Sequence, residues 1–231
     1  MAKLRGPIVS GLSGRLGQSV FAPMKGGEYV ARAYNPSVKN PNTFRQQVSR
    51  NKMRVASELA AALSIPIKIG YAMATASGKM YARNMFIHNI IPVDKGVMTN
   101  EGAVITADLT KLPISQAIGI SEPPVIAVSA GTEAGSKKID ATNAANIVLE
   151  GGVTLGLVVV ALFANGKTSF VREGVAADGV TLSAADIAAI GNATYYAFFK
   201  AIPEAKNGVL STVEPWMYPS ATSATTVFTL A

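Results

Sequence analysis

Between residues 104 and 230 the chain repeats one pattern: a short run of Val, Ile, Thr and Ala, then a turn signal of Gly, Asn, Asp or Ser. These runs predict strands over 104–108, 114–120, 125–130, 138–141, 146–150, 155–164, 169–175, 179–182, 193–201 and 227–230. Many short strands at regular spacing point to an antiparallel β-sandwich. Asn165-Gly166 between two apolar runs predicts a two-residue hairpin turn. Residues 183–187 read as a single helical turn opened by a Ser183 cap. The longest apolar stretch, 155–164, is ten residues long. That falls well short of the roughly 18 needed to cross a bilayer, so no membrane span is expected.

The first hundred residues follow different rules. Gly6, Gly11, Gly14 and Gly17 interrupt the start before a long helix can form. Residues 19–24 and 29–34 read as the arms of a hairpin, with Gly26-Gly27 supplying the turn. Tyr29, Ala31 and Ala33 share one face, and Val30, Arg32 and Tyr34 the other. Pro23 lacks a ladder donor, which places it at an edge or a strand end. Asn42 or Thr43 then caps a helix, with Gln46 or Gln47 where a capping-box partner belongs. Phe44, Val48, Val55, Leu59, Ala62 and Leu63 fall on its apolar stripe, and Pro66 is expected to stop it. A second helix over 79–91 is expected to turn Met80, Asn84, Ile87 and Ile91 to one side, with His88 packed beside them.

Charge divides along the same line. Residues 1–100 hold fourteen Lys and Arg against three acids, a net +11, while residues 101–231 hold seven against eleven, a net −4. A sign difference of this kind marks one part as a surface for an acidic partner: nucleic acid, another protein, or the acidic half of a further copy. Of these, the charged helix face favours a protein partner. Arg45, Arg50, Lys52 and Arg54 spread around the helix instead of forming one stripe, and aromatic interleaving is limited to Tyr29, Tyr34 and Phe44.

The chain contains no Cys and one His. That excludes disulfide frameworks, zinc-thiolate sites, iron–sulfur clusters, a Cys nucleophile and any multi-His metal site built by this chain alone. The segment 161–168 formally fits a relaxed phosphate-loop pattern, but its middle positions are apolar and a strand, not a helix, is expected after Lys167 and Thr168. No Gly-x-Ser-x-Gly elbow accompanies His88, and Glu133, Asp140, Glu150, Glu173, Asp178 and Asp186 lack calcium-loop spacing. No reaction and no cofactor is expected.

Gly6-Pro7, the run Gly11-Leu12-Ser13-Gly14-Arg15-Leu16-Gly17, Lys25-Gly26, Tyr29-Val30, Arg32, and Asn40-Pro41-Asn42-Thr43 with Gln46-Gln47 and Arg50 carry a family resemblance. Together they resemble a Bacteroidetes family known as a domain of unknown function, and the Asn-Pro-x-Thr to Arg segment is similar to segments of phage structural proteins. The likeness in layout covers most of the chain, while identity is confined mainly to 1–54. Pro23-Met24 stands where a Trp before Lys-Gly is usual in the family, and Met53 or Arg54 where a Phe often follows the Arg. The resemblance implies a glycine-rich hairpin and helices ahead of an immunoglobulin-like sandwich, and it implies no catalytic residue.

The expected fold is therefore α+β, mainly β: a hairpin-and-helix region over 1–95, then an immunoglobulin-like antiparallel sandwich over 96–231. The expected role is that of a non-enzymatic phage- or prophage-type virion, shell or fibre component that assembles with copies of itself and other structural proteins. Lys25, Arg32, Lys39, Arg45, Gln46, Gln47, Arg50 and Arg54 are the candidate contact residues. The start 1–7 lacks the apolar core of a secretory signal, so synthesis in a cytoplasm and residence in an assembled particle are expected. The alternatives are a nucleic-acid-binding accessory protein using Arg32, Lys39, Arg45, Arg50, Lys52 and Arg54, and a carbohydrate- or ligand-binding sandwich using Tyr195, Tyr196, Trp216 and Tyr218.

Overall fold

The computed structural model describes residues 2–4, 13–23, 29–36, 42–75, 80–149, 153–203 and 221–230. Over these residues the chain is α+β with a β-rich character, and its centre is a pair of long antiparallel strands.

Those strands are β9 (Val153–Phe163) and β12 (Ala193–Pro203), paired along their whole length from Val153↔Pro203 to Phe163↔Ala193. Both faces of β9 are covered. Val158, Val160 and Leu162 pack on one side, and Leu157, Val159 and Ala161 on the other. This double burial is why the sequence reads there as one apolar run without alternation. On β12, Tyr196 and Phe198 face one way while Tyr195, Ala197 and Phe199 face the other. Strands β10 (Ser169–Val175) and β13 (Thr226–Phe228) complete a four-stranded sheet in the order β10-β9-β12-β13.

One side of this sheet is covered by helices. Helix α1 (Phe44–Ala62), α2 (Ser64–Gly70), the short α3 (Ala72–Thr75) and α4 (Ala82–Ile90) precede it in the chain. Ala56, Leu59, Leu63, Ile67, Tyr71, Phe86 and Ile90 form one core with Val158, Val160, Leu162, Tyr196 and Phe198. The other side is covered by a three-stranded sheet, β11-β8-β7, made of β7 (Ile126–Ala130), β8 (Lys137–Ala141) and β11 (Val180–Leu182). Ile139, Val180 and Leu182 meet Leu157, Val159 and Phe199 there, joined by Ile190 of α5 (Ala184–Ile190). A small hairpin of β5 (Met98–Glu101) and β6 (Val104–Ala107) lies against α1, where the Asn51 amide donates to the Ala103 carbonyl at 2.8 Å.

Several expectations need correction. Pro66 does not end the helical region. The chain breaks at Leu63, which caps α2, and Pro66 falls in the first turn of the new helix. The first amide of α2 that needs an intrahelical acceptor is Ile67, which donates to the Leu63 carbonyl at 3.0 Å, so the missing N–H of Pro66 is not lost from the ladder. In α4 the buried pair is Phe86 and Ile90, one turn apart, whereas Asn84 and His88 are exposed. Residues 114–120 form no strand; Ile118 and Gly119 make only isolated bridges to Thr222. Residues 146–149 lie outside any strand.

The Asn165-Gly166 turn does join β9 to β10, with Gly166 at φ 64°, but Phe163 pairs with Thr168, so the loop is longer than two residues. The Asn165 side chain accepts from the Lys167 amide at 2.9 Å, and a strand follows. The composition change near 92–96 is a change of secondary structure and not a gap in packing, because helices before it and strands after it share a core. Ser183 caps α5 as read, in a reciprocal capping box with Asp186.

Candidate assembly interface

A second four-stranded sheet stands at the start of the chain. Strands β1 (Ala2–Leu4), β2 (Gly14–Leu16), β3 (Ser19–Pro23) and β4 (Tyr29–Ala33) pair in the order β1-β4-β3-β2, all antiparallel. The β3–β4 hairpin is the one read from the sequence, and its connection, including Lys25, lies outside the described residues. The β2–β3 turn is an addition: Gly17 adopts φ 58°, a left-handed conformation open to glycine at little strain.

Register sorts the side chains. Cross-strand partners share a face, and the face alternates along each strand. Gly14, Phe21 and Ala31 are partners, as are Leu16, Ser19 and Ala33, and Tyr29 pairs with Pro23. Opposite them lie the partners Arg15, Val20 and Arg32, with Ala22 and Val30. One face is thus apolar apart from Ser19, and the other carries two guanidinium groups. On that second face, Arg15 stacks over the Tyr34 ring, 3.8 Å from its centroid, and its Nε donates to the Gly17 carbonyl at 2.9 Å.

Among the described residues, neither hydrophobic core reaches this sheet, and Phe21, Tyr29 and Ala31 on its apolar face are half-buried. No described residue between 13 and 36 is buried, and none belongs to either hydrophobic core. Leu16 is 67% exposed.

The remaining candidate residues lie on or before α1. Lys39 lies outside the described residues. Arg45, Arg50 and Arg54 are exposed, while Gln46 and Gln47 are half-buried. Arg50 and Arg54 follow Arg45 by five and nine positions, which at about 100° per residue sets them about 140° and 180° around the helix. The structure therefore does not gather these cations into one stripe. Gln47 serves the helix start: its amide donates to the Asn42 carbonyl at 3.2 Å, and Thr43 caps α1 without a side-chain bond. The first fully buried residue of α1 is Ala56, so Phe44, at 58% exposure, and its neighbours stand clear of the core.

The described ion pairs all join residues of the second half: Lys111–Asp108, Lys138–Asp140, Arg172–Asp186 and Lys200–Glu173. Arg15, Arg32, Arg45, Lys52 and Arg54 take part in none of these. Glu101, Glu122, Glu133 and Asp178 are exposed acids outside the same pairs.

Of the aromatics weighed as ligand contacts, Tyr195 and Tyr196 are core residues. Tyr195 packs on Phe228 with ring centroids 5.7 Å apart, and the Tyr196 hydroxyl donates to the Leu109 carbonyl at 2.6 Å. Burial raises the pKa of both. Trp216 and Tyr218 lie outside the described residues. No group of three or more His, Asp or Glu is gathered to hold a metal ion among the described residues. No helix among them is long and apolar enough to cross a membrane.

What sequence reasoning missed is the apolar partner of the basic surface. Leu16 and Phe21 were legible as apolar residues, but their common face follows only once Gly14–Leu16 is known to be a strand. Comparison with protein-family models, curated proteins and solved structures returns no match.

Proposed function

We propose that this chain is a non-enzymatic structural protein that assembles with copies of itself, as a phage- or prophage-type virion, shell or fibre component. The observation that carries the reading is the N-terminal sheet, whose apolar row of Leu16, Phe21, Ala31 and Ala33 joins neither hydrophobic core among the described residues. A small sheet with one apolar face gains independent stability only when that face is packed. Within the described chain no layer performs that packing, and a further copy supplies it.

Charge supports the same partner. The exposed cations Arg15, Arg32, Arg45 and Arg54 lie in the half with net charge +11, and the exposed acids Glu101, Glu122, Glu133 and Asp178 in the half with net charge −4. Contacts between unlike halves of successive copies bring opposite signs together.

The C-terminal part is proposed to be an immunoglobulin-like sandwich displayed by that assembly. Lettering β7 to β13 as A to G places A, B and E in one sheet and D, C, F and G in the other. This matches the seven-strand constant-type plan except that the fourth strand joins the edge beside C instead of pairing with E.

Electron microscopy of the purified chain across a concentration series tests the reading. Particles, rings or filaments are expected as concentration rises. Isolated monomers at every concentration, in low and moderate salt, would overturn it.

A further inference from the structure

A cleft of about 520 Å³ opens between the α1–α2 junction and the first turn of α4. Its lining includes the apolar groups Ala60, Ile67 and Ala82 and the polar groups Ser64, Lys68 and Arg83. The volume lies within the range of small-molecule sites. Its charge is one-sided: among the described lining residues there are two cations and no acid. Lys68 and Arg83 are exposed and take no part in the ion pairs described above. A guanidinium beside an ammonium suits a carboxylate or phosphate, the first by a two-pronged contact and the second as a point charge. Tyr81, 58% exposed, and the half-buried Ala82 present apolar surface on the cleft wall, which a charged head alone would leave in water.

We propose that this cleft binds a small soluble anion with a short apolar body, a carboxylate or phosphate monoester, with Lys68 and Arg83 holding the head and Tyr81 and Ala82 receiving the body. The site is separate from the N-terminal sheet, so it stands or falls independently of self-assembly.

Calorimetric titration of the full chain with hexyl phosphate tests it, with inorganic phosphate, hexylammonium and phosphatidylglycerol vesicles as the other arms. Hexyl phosphate is expected to bind more tightly than inorganic phosphate, and hexylammonium to give no heat of binding. The Lys68→Gln/Arg83→Gln variant should weaken hexyl phosphate by about tenfold or more, because two charge-assisted contacts are lost. Ser64→Trp, an exposed position that fills the cleft, should abolish binding with the melting temperature unchanged. The proposal is overturned by hexyl phosphate failing to bind, by hexylammonium binding equally well, or by either variant binding as the unaltered chain does. Attachment to vesicles without binding of free hexyl phosphate also overturns it and assigns the cations to a membrane surface.

Discussion

The Ser115 hydroxyl donates to the Ser223 carbonyl at 2.6 Å, joining residues 108 positions apart in a buried contact. Around it the chain end is held by hydroxyl groups. Thr222 Oγ1 lies 2.6 Å from the Gln116 carbonyl and 3.1 Å from that of Gly70, and the Ser223 hydroxyl accepts from the Phe199 amide at 2.7 Å. Residues 221–225 thus act as a strap that ties the end of α2 and the 115–118 segment to strand β12. Thr222→Val keeps the shape and removes the donor. It should lower stability by about 1–3 kcal/mol, the desolvation cost of the Gln116 carbonyl left without this donor, while the Gly70 carbonyl keeps the Gln116 amide. Chemical denaturation measures this, and an unchanged midpoint would count against the strap.

Close approach at the same place gives a second expectation. A Cβ added to Gly70 would fall on the Ile114 carbonyl oxygen and lie 2.7 Å from Ser115 Cα, both backbone atoms that a side-chain rotation cannot move. Gly70→Ala should therefore destabilise the chain by about 1–3 kcal/mol, despite the usual helical preference for Ala. A stabilised Ala variant in thermal melts would contradict this packing.

How far these contacts could be read from the sequence depended on how local their causes are. The buried strand β9 was legible because burial on both faces leaves an unbroken apolar run, and the Ser183 cap because a capping box lies within one turn. The Pro66 outcome was not, since it depends on Leu63 becoming the cap of a new helix rather than a residue inside the old one. Residues 114–120 look like a strand by composition, yet their backbone meets Thr222 and Ser223 in isolated contacts that no local pattern announces. For the candidate interface, the alternation of Tyr29 to Ala33 was visible. The shared apolar face, however, is a property of register across β2, β3 and β4.

The core that the helices share with the β10-β9-β12-β13 sheet predicts the fate of a fragment. Residues 96–231 alone would leave Val158, Val160, Leu162, Tyr196 and Phe198 without α1, α2 and α4 above them. Each such side chain forfeits about 1.5–3 kcal/mol on losing its cover. The fragment should aggregate or lose fixed packing, seen as poor dispersion in its amide NMR spectrum. A soluble monomer with a well-dispersed spectrum would contradict a shared core.

Tyr71 sets an alkaline limit. Its hydroxyl donates to the Pro113 carbonyl at 2.7 Å and accepts from the Asn89 amide at 3.1 Å, and burial pushes its pKa up to about 12. The folded chain therefore holds this proton more tightly than the unfolded chain does. The stabilisation is complete below the ordinary tyrosine value of 10.0 and is lost as pH rises from there through about 12. Tyr196 shifts in the same direction, mainly through burial. Stability measured by urea unfolding should fall over that window, and Tyr71→Phe should flatten part of the fall.

The central claim, that the apolar face of the N-terminal sheet joins copies of the chain, is tested most directly by sedimentation velocity of the full chain beside Leu16→Lys/Phe21→Lys. Both positions lie outside the two hydrophobic cores, so the melting temperature should hold. The account predicts fast-sedimenting assemblies for the unaltered chain and a monomer of about 24.0 kDa for the variant. Equal sedimentation of the two, as monomers or as assemblies, would contradict it.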